Sequence, residues 1–212
     1  MYQIIHEDYE ILLVNKPATI PVQNDQTNDP SLLAQVEMDM GRRFYLVNRI
    51  DRPVSGLVLL AKSPIAQTKY SSLKILKRYI AISHKNGNLK PGTYEHYHIR
   101  NGRNNKAYIS DVPTLKHKSV KLTIEEIHPL DNYDAIKLSI MSGRFHQIRA
   151  QLSHLDSPIM GDVKYGARRA NRDRSIMLHS YEYEIPELGE SFRCMPDLGH
   201  NLWNQAQLKL FN

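Results

Sequence analysis

Cysteine is almost missing from this 212-residue chain, and Cys194 is the one thiol. A lone cysteine makes neither an internal disulfide nor a zinc cluster, and it fits a reducing compartment, so a cytoplasmic location is expected. Long apolar runs are missing too. The longest strictly apolar stretch, Leu57 to Ala61, falls far short of the ~20 residues that span a bilayer, so no membrane association is expected. Met1 to Glu10 carries His6, Glu7 and Asp8 where a secretory leader needs a basic start and an apolar stretch. No period of 20 to 50 residues repeats and no tract is of low complexity, which excludes solenoids and flexible tethers. The chain also lacks G-x-G-x-x-G after a strand, G-x-x-x-x-G-K-[ST], G-x-S-x-G and H-E-x-x-H. Nucleotide cofactors and serine or zinc hydrolysis thereby lose their usual signatures.

What is present is ordinary for a globular protein, with 41% hydrophobic and 24% charged residues. The charge is unevenly spread. From Lys62 to Lys121 there are thirteen lysines and arginines against Glu95 and Asp111, a net +11 in a chain of net +6, which leaves the remainder at −5. Such a segment is the footprint of a protein that touches phosphates, and it is equally what a solvated lysine face looks like.

Ile4-Ile5 and Ile11 to Val14 read as short buried strands. A helix is expected from Pro30, capped by Asp29 and ended by Gly41. Leu46 to Ile50 reads as a strand, Asp51 to Gly56 as a turn and Leu57 to Ala61 as a second strand. Ser63 and Pro64 open a helix whose apolar positions are Ala66, Tyr70, Leu73 and Leu76. Tyr79 to Ser83 alternates as a strand, and Thr93 to Ile140 keeps a period of two, with a hairpin joined at Pro129 to Tyr133. A helix restarts near Ser142 with the stripe Phe145, Ile148, Leu152 and Leu155, and Met177 to Ile185 is a late strand. Three helices among strands, without regular βαβ alternation, predict an α+β fold with a mixed, mainly antiparallel sheet and flanking helices, in a single domain over 1–212.

Two stretches are chemically unusual. In Asn48 to Gly56, Asp51 is expected to end a strand, with Arg49 on the same side of the pleat and Arg52 beside it. Taken alone, this is also what a turn-forming aspartate with incidental arginines looks like. In Ser142 to Arg149, a glycine-led helix start carries Arg144, His146 and Gln147, which suits a phosphate or a carboxylate. Arg149 falls beside the apolar stripe and is placed to reach inward, where a buried guanidinium requires an anion. His96 and His98 share a strand face, but without a third ligand at sensible spacing they read as surface histidines, and no metal site is predicted.

Together these stretches resemble the RluA family of RNA pseudouridine synthases. The family's H-R-L-D-x-x-T-S-G is similar to Asn48 through Gly56, its T-G-R-x-H-Q-[IL]-R to Ser142 through Arg149, and its H-P-I-x-G-D-x-x-Y-G to Ser157 through Gly166. Val14-Asn15-Lys16-Pro17, Lys77-Arg78-Tyr79 and Leu178-His179-Ser180 resemble its remaining segments, in the family's order, over about 4–185. Asn48, Val54, Ser142 and Ser180 depart from the usual His, Thr, Thr and Ala.

The resemblance implies a pseudouridine synthase fold with a central RNA-binding cleft, no cofactor, and isomerisation of uridine in structured rRNA or tRNA. Asp51 would be the catalytic carboxylate, as nucleophile at C1′ or C6 or as base in an elimination. Arg149 would pair with Asp51, and Tyr79 would pack on the target base and share in proton transfer. Arg49 would fill the gap left by the flipped uridine, with Arg52, Arg144, His146, Ile148 and Leu178 also binding substrate. Arg100, Arg103 and Lys106 would clamp the RNA backbone. Many relatives carry an S4-type module upstream, whereas this chain is read as beginning directly with the catalytic segment, so recognition is expected to rest on the catalytic domain, acting as a monomer. A non-catalytic RNA-binding or ribosome-assembly protein is the alternative, and a peripheral membrane binder lacks the amphipathic helix it would need.

Overall fold

A computed structural model of the chain describes residues 1–27, 29–197 and 199–211. They are of mixed α+β type, with four α-helices and mostly antiparallel strand pairing. They divide into two compact units, Met1–Lys77 with His179–Pro196, and Arg78–Leu178 with Asp197–Asn212.

In the first unit the apolar runs of the sequence become buried strands. β1 (Gln3–Glu7) pairs with β2 (Ile11–Lys16), which pairs antiparallel with β4 (Ser55–Ala61). β10 (Leu178–Ile185) lies parallel to β4, and β11 (Glu190–Arg193) pairs with β10. Ile11, Leu13, Leu57, Leu59 and Tyr183 are buried together beneath α2 (Pro64–Ser72). Gly56 has φ +114, and a Cβ there would run into the backbone of Ser180, so glycine is what lets β10 close on β4. Ser63 caps α2 by accepting from the Ala66 amide, with Pro64 following, as expected.

Three expectations fail here for local reasons. The cap of α1 (Leu32–Met40) is Ser31, whose side chain accepts from the Ala34 amide, because Asp29 is drawn to Arg52 instead. The helix α2 stops at Ser72, so Leu73 is its C-cap and Leu76 opens the next strand. The strand expected over Leu46–Ile50 shrinks to β3 (Tyr45–Leu46). Beyond it the Asn48 side chain takes ladder work upon itself: its Oδ1 accepts from the Leu59 amide at 2.8 Å, and its Nδ2 lies 2.5 Å from the Tyr183 hydroxyl. Asp51 therefore sits in a loop, and the pleat argument for Arg49 does not apply.

In the second unit the strand order is β5 (Leu76–His84), β9 (Tyr133–Ile140), β8 (Lys118–Pro129), β6 (Gly92–Asn101), β7 (Lys106–Ser110). Val120, Leu122, Ile124, Ile136, Leu138 and Ile140 are buried, as their period of two predicts, and the Pro129–Tyr133 hairpin forms. The helix expected near Ser142 begins later, as α3 (Gln147–His154), with His146 in the left-handed region at its N-cap. Phe145 is thus outside the helix, while Ile148 and Leu152 remain buried. A fourth helix, α4 (Asn201–Leu210), was not foreseen. It buries Trp203, Ala206 and Leu210, and it packs on β8 and β9.

Candidate active site

The Asp51 loop is built by bonds that converge on the residue after it. Asp51 opens a turn, its carbonyl accepting from the Val54 amide at 3.0 Å across Arg52 and Pro53. The Arg52 carbonyl accepts from the Thr19 amide at 2.8 Å and from Lys16 Nζ at 3.2 Å. Lys16, at the end of β2, is fully buried, and its Nζ also donates to the carbonyls of Pro17 at 2.7 Å and Ile20 at 2.9 Å. Three carbonyl acceptors call for all three protons of an ammonium. Burial pulls the Lys16 pKa down to about 7, with the Asp51 carboxylate pulling the other way.

The Arg52 side chain completes the bracket. Nε donates to the Thr19 carbonyl at 2.9 Å, Nη1 to Thr27 Oγ1 at 2.7 Å and Asp25 at 3.3 Å, and Nη2 to Asp29. Arg52, predicted to hold substrate, is therefore engaged in fastening the 19–29 loop beside the Asp51 turn. Arg49 is exposed on the same loop. Ser55, where the turn runs into β4, is held by His179: Ser55 Oγ lies 2.8 Å from Nδ1, and Nε2 lies 3.0 Å from the Cys194 carbonyl. A carbonyl accepts only, so Nε2 carries the proton and Nδ1 accepts from Ser55. Burial depresses the His179 pKa to about 4 and pushes the Cys194 thiol up to about 12.

In the second unit the inward arginine has its anion. Arg149 Nε donates to Asp162 Oδ2 at 2.6 Å and Nη2 to Oδ1 at 2.8 Å, with both residues buried. The expected fork on a carboxylate exists, and the carboxylate on its Nε and Nη2 edge is Asp162, to which the sequence reading gave no role. The Arg149 guanidinium also stacks over Tyr165, 5.0 Å from the ring centroid, and Lys106 Nζ lies 5.1 Å from that centroid. The Tyr165 hydroxyl accepts from the Ala107 amide at 2.7 Å and lies 2.9 Å from His146 Nδ1. Phe145 stacks on His146 at 3.8 Å and takes the Arg100 guanidinium on its ring at 4.2 Å. Arg100, Lys106, His146 and Arg149 are thus joined through Phe145 and Tyr165, whereas Arg103 and Arg144 are exposed beside them. Tyr79 lies buried on β5, and Ile148 and Leu178 are buried.

At the helix start two amides are engaged within the turn itself, that of Gln147 donating to the Arg144 carbonyl at 3.0 Å. The Arg144 amide donates to Gln147 Oε1 at 3.1 Å, as does Ser142 Oγ at 2.8 Å. Gln147 Nε2 then donates to the Lys121 carbonyl at 3.1 Å and to Gln151 Oε1 at 3.2 Å, which turns Gln151 Nε2 toward His96 Nδ1 at 2.9 Å. Both histidines of β6 are buried, correcting their reading as surface groups, and His98 Nε2 lies 2.8 Å from the Phe145 carbonyl.

His96, Asp111 and His154 bring ligand atoms within 4.8 Å of one another, a spacing that can hold a metal ion and that the sequence did not reveal. The amide relay decides against His96 as a ready ligand. With Nδ1 accepting, Nε2 keeps its proton and points it at this group, and burial, followed by the charge of His154, lowers the His96 pKa.

Lys16, Asp162 and Tyr165 are the residues whose part the sequence reading missed. A lysine ending the run Ile11–Asn15 was the available signal for the first, and a glycine-aspartate step after Pro158-Ile159 for the second.

The first unit carries a bracketed aspartate and the second a buried arginine fork and a basic hairpin, which suit an enzyme that handles RNA, and the comparisons name its class. The RNA pseudouridylate synthase family matches residues 10–154, and the chain belongs to that family, in its RluA-type branch. It is an isomerase that converts uridine in RNA to pseudouridine. It is 27% identical to tRNA pseudouridine synthase C of Yersinia pestis, over 90% of this chain and 84% of that protein. It is 29% identical to ribosomal large subunit pseudouridine synthase C of Rickettsia prowazekii, over 77% of this chain and 56% of that longer protein. Among solved structures, human RNA pseudouridylate synthase domain containing 4 shares the fold with a TM-score of 0.76 at 19% identity, covering 98% of this chain and 92% of that one.

Proposed function

We propose that the enzyme acts on a uridine in a structured tRNA or rRNA, with Asp51 as its catalytic carboxylate. The observation that carries this reading is the Asp51 turn itself, bolted at the next residue by a buried ammonium and by an arginine spent on Thr19, Asp25, Thr27 and Asp29. Such investment in one short turn is what a carboxylate with a positioning requirement needs. The named substrates of the Yersinia and Rickettsia relatives supply the two RNA classes.

In the reaction the C1′–N1 bond breaks, the base turns, and a C1′–C5 bond forms. C5 then loses its proton and N1 gains one, so no oxidant is consumed. Asp51 acts as nucleophile or base, Tyr79 lies against the base and carries the proton, and Arg149 orients the charged site with Asp162 holding its fork. Arg49 is assigned to the space left by the flipped uridine, and Arg144, His146, Ile148 and Leu178 to substrate binding. Arg100, Arg103 and Lys106 on the β6–β7 hairpin follow the phosphates. We place the enzyme in the cytoplasm, a reading supported by its single thiol, and as a monomer, which light scattering checks.

The test is a pseudouridine map of cellular RNA with the wild-type chain and with Asp51→Asn. Loss of a specific modified position in the variant, with RNA affinity within a few-fold, is the expected result. Turnover by a folded Asn variant would falsify the assignment. Replacing Arg100, Arg103 and Lys106 together should make the salt dependence of RNA binding shallower, by about 0.7 in log–log slope for each lost phosphate contact.

A further inference from the structure

The reading of the hairpin leaves a second basic group unused. The second unit contains a cleft of about 790 Å³, within the size range of ligand sites. Its walls are the end of β5 at His84 and Lys85, the start of β9 at Tyr133, and the chain from Pro158 through Asn171. His84 lies five residues beyond Tyr79, about 17 Å along the strand, so a nucleotide at Tyr79 does not reach it.

The cleft is built firmly. The His84 amide donates to the Pro158 carbonyl and the Met160 amide to the Ile82 carbonyl, both at 2.9 Å. Gly161, at φ +88, turns the chain so tightly that a Cβ would meet Ser175 O at 2.7 Å and Asn171 Nδ2 at 2.8 Å. Asp173 accepts from the Ser175 amide at 3.0 Å and from its hydroxyl at 2.7 Å, which fixes the far side of the loop.

On this fixed loop the guanidinium groups are left available. Arg168 and Arg169 are exposed cleft residues, and among the described residues neither is paired with a carboxylate. The contrast is with Arg52 and Arg149, whose donors are consumed by Asp25, Asp29 and Asp162. Asp156 is the acid among the lining residues, against Lys85, Arg168 and Arg169. His84 and Tyr133 present tilted rings 5.5 Å apart, and the Arg168 charge adds to burial in lowering the His84 pKa. Unpaired guanidinium forks suit phosphate oxygens, and adjoining ring faces suit unstacked bases.

We propose that this cleft binds a single-stranded stretch of the substrate RNA outside the target uridine, with Arg168 and Arg169 on phosphates and a base against Tyr133 or His84. The proposal rests on the reading of Tyr79 as the residue beside the target base. A free nucleotide offers the same phosphate chemistry, and the experiment separates the two sources.

Labelled bulk tRNA and a labelled oligouridylate are titrated with wild type, Arg168→Ala/Arg169→Ala and Asp51→Asn across a salt series. The double variant should keep its melting temperature, bind both RNAs roughly tenfold more weakly near physiological salt, and show a log–log salt slope shallower by about 1.4. Ultraviolet cross-linking of the wild type should map an RNA adduct to a peptide containing His84 or Tyr133. Unchanged affinity and slope in the double variant would overturn the proposal. So would saturable binding of uridine monophosphate, lost in the double variant, alongside undiminished RNA affinity, since the occupant would then be a free nucleotide. Failure of the catalytic reading shows elsewhere, as pseudouridine formation by the Asp51→Asn protein.

Discussion

The Asp51 loop and the Arg149 helix both carry residues assigned to catalysis, yet they are held in opposite ways. Around Asp51 the fastening is polar and converges on backbone: Lys16 reaches three carbonyls, and Arg52 ties down the 19–29 loop at its partly exposed edge. Around Arg149 the fastening is a buried ion pair under an aromatic ring, with its charge matched inside the unit by Asp162. Exposed ion pairs are worth little, whereas a buried charge stripped of its partner is expensive. Damage to the first region should therefore fall mainly on activity, and damage to the second on folding as well.

The largest test of that difference is Arg149→Ala, expected to lose activity together with about 3–5 kcal/mol of stability in urea unfolding, with Asp162→Ala similar. The double variant Arg149→Ala/Asp162→Ala should recover part of the loss, because no buried charge is left alone. Strictly additive effects, with coupling under ~0.5 kcal/mol, would mean that the fork is not a stabilising unit.

An acid titration comes next, because His179 braces Ser55 in its neutral form. Its pKa is about 4 when folded and 6.5 when free, so protons favour the unfolded chain. Its contribution is intact above pH 6.5, declines below that and is lost by about pH 4, a total of about 3 kcal/mol. Unfolding free energies of wild type and His179→Asn between pH 7 and pH 4 should converge as pH falls. Parallel curves would remove His179 as the acid-sensitive brace.

Lys16→Met sharpens the contrast from the other side. It keeps the length of the side chain but takes the Nζ donor from the carbonyls of Pro17 and Ile20, while the Arg52 carbonyl keeps the Thr19 amide, at a cost of about 1–3 kcal/mol. If the lysine positions the Asp51 turn, turnover should fall while RNA affinity stays within a few-fold, and Lys16→Arg should rescue poorly in so closed a space. Equal losses in turnover and affinity would make Lys16 a general stabiliser instead.

The smallest effect is expected at Ser180, whose buried hydroxyl has no hydrogen-bond partner among the described residues. Ser180→Ala should leave activity unchanged and raise the melting temperature by a few degrees at most. Cys194, with its thiol pushed up to about 12, should resist alkylation until the chain unfolds.

By itself, the order of residues determined most of the elements and the family. The buried runs Ile11–Val14 and Leu57–Ala61, the period of two from Thr93 to Ile140 and the Ser63-Pro64 cap are local signals, and each appears where it was read. The inward turn of Arg149 was legible for the same reason, since it follows from the spacing of Ile148 and Leu152 on one helix. Only the tertiary structure decided which groups those residues meet. The strand before Asp51 gave way because Asn48 bonds to Leu59 and Tyr183, eleven and 135 positions away. Asp29 left its helix cap for Arg52, 23 positions on, and the third member of the His96 group came from α3. Lys16, a charge at the end of an apolar strand, became intelligible only once the carbonyls of Pro17, Ile20 and Arg52 had closed around it. Local propensity is set by each residue's own backbone and neighbours in sequence, but a buried polar group takes whatever partner the fold delivers, because leaving it unpaired costs more than breaking a local rule.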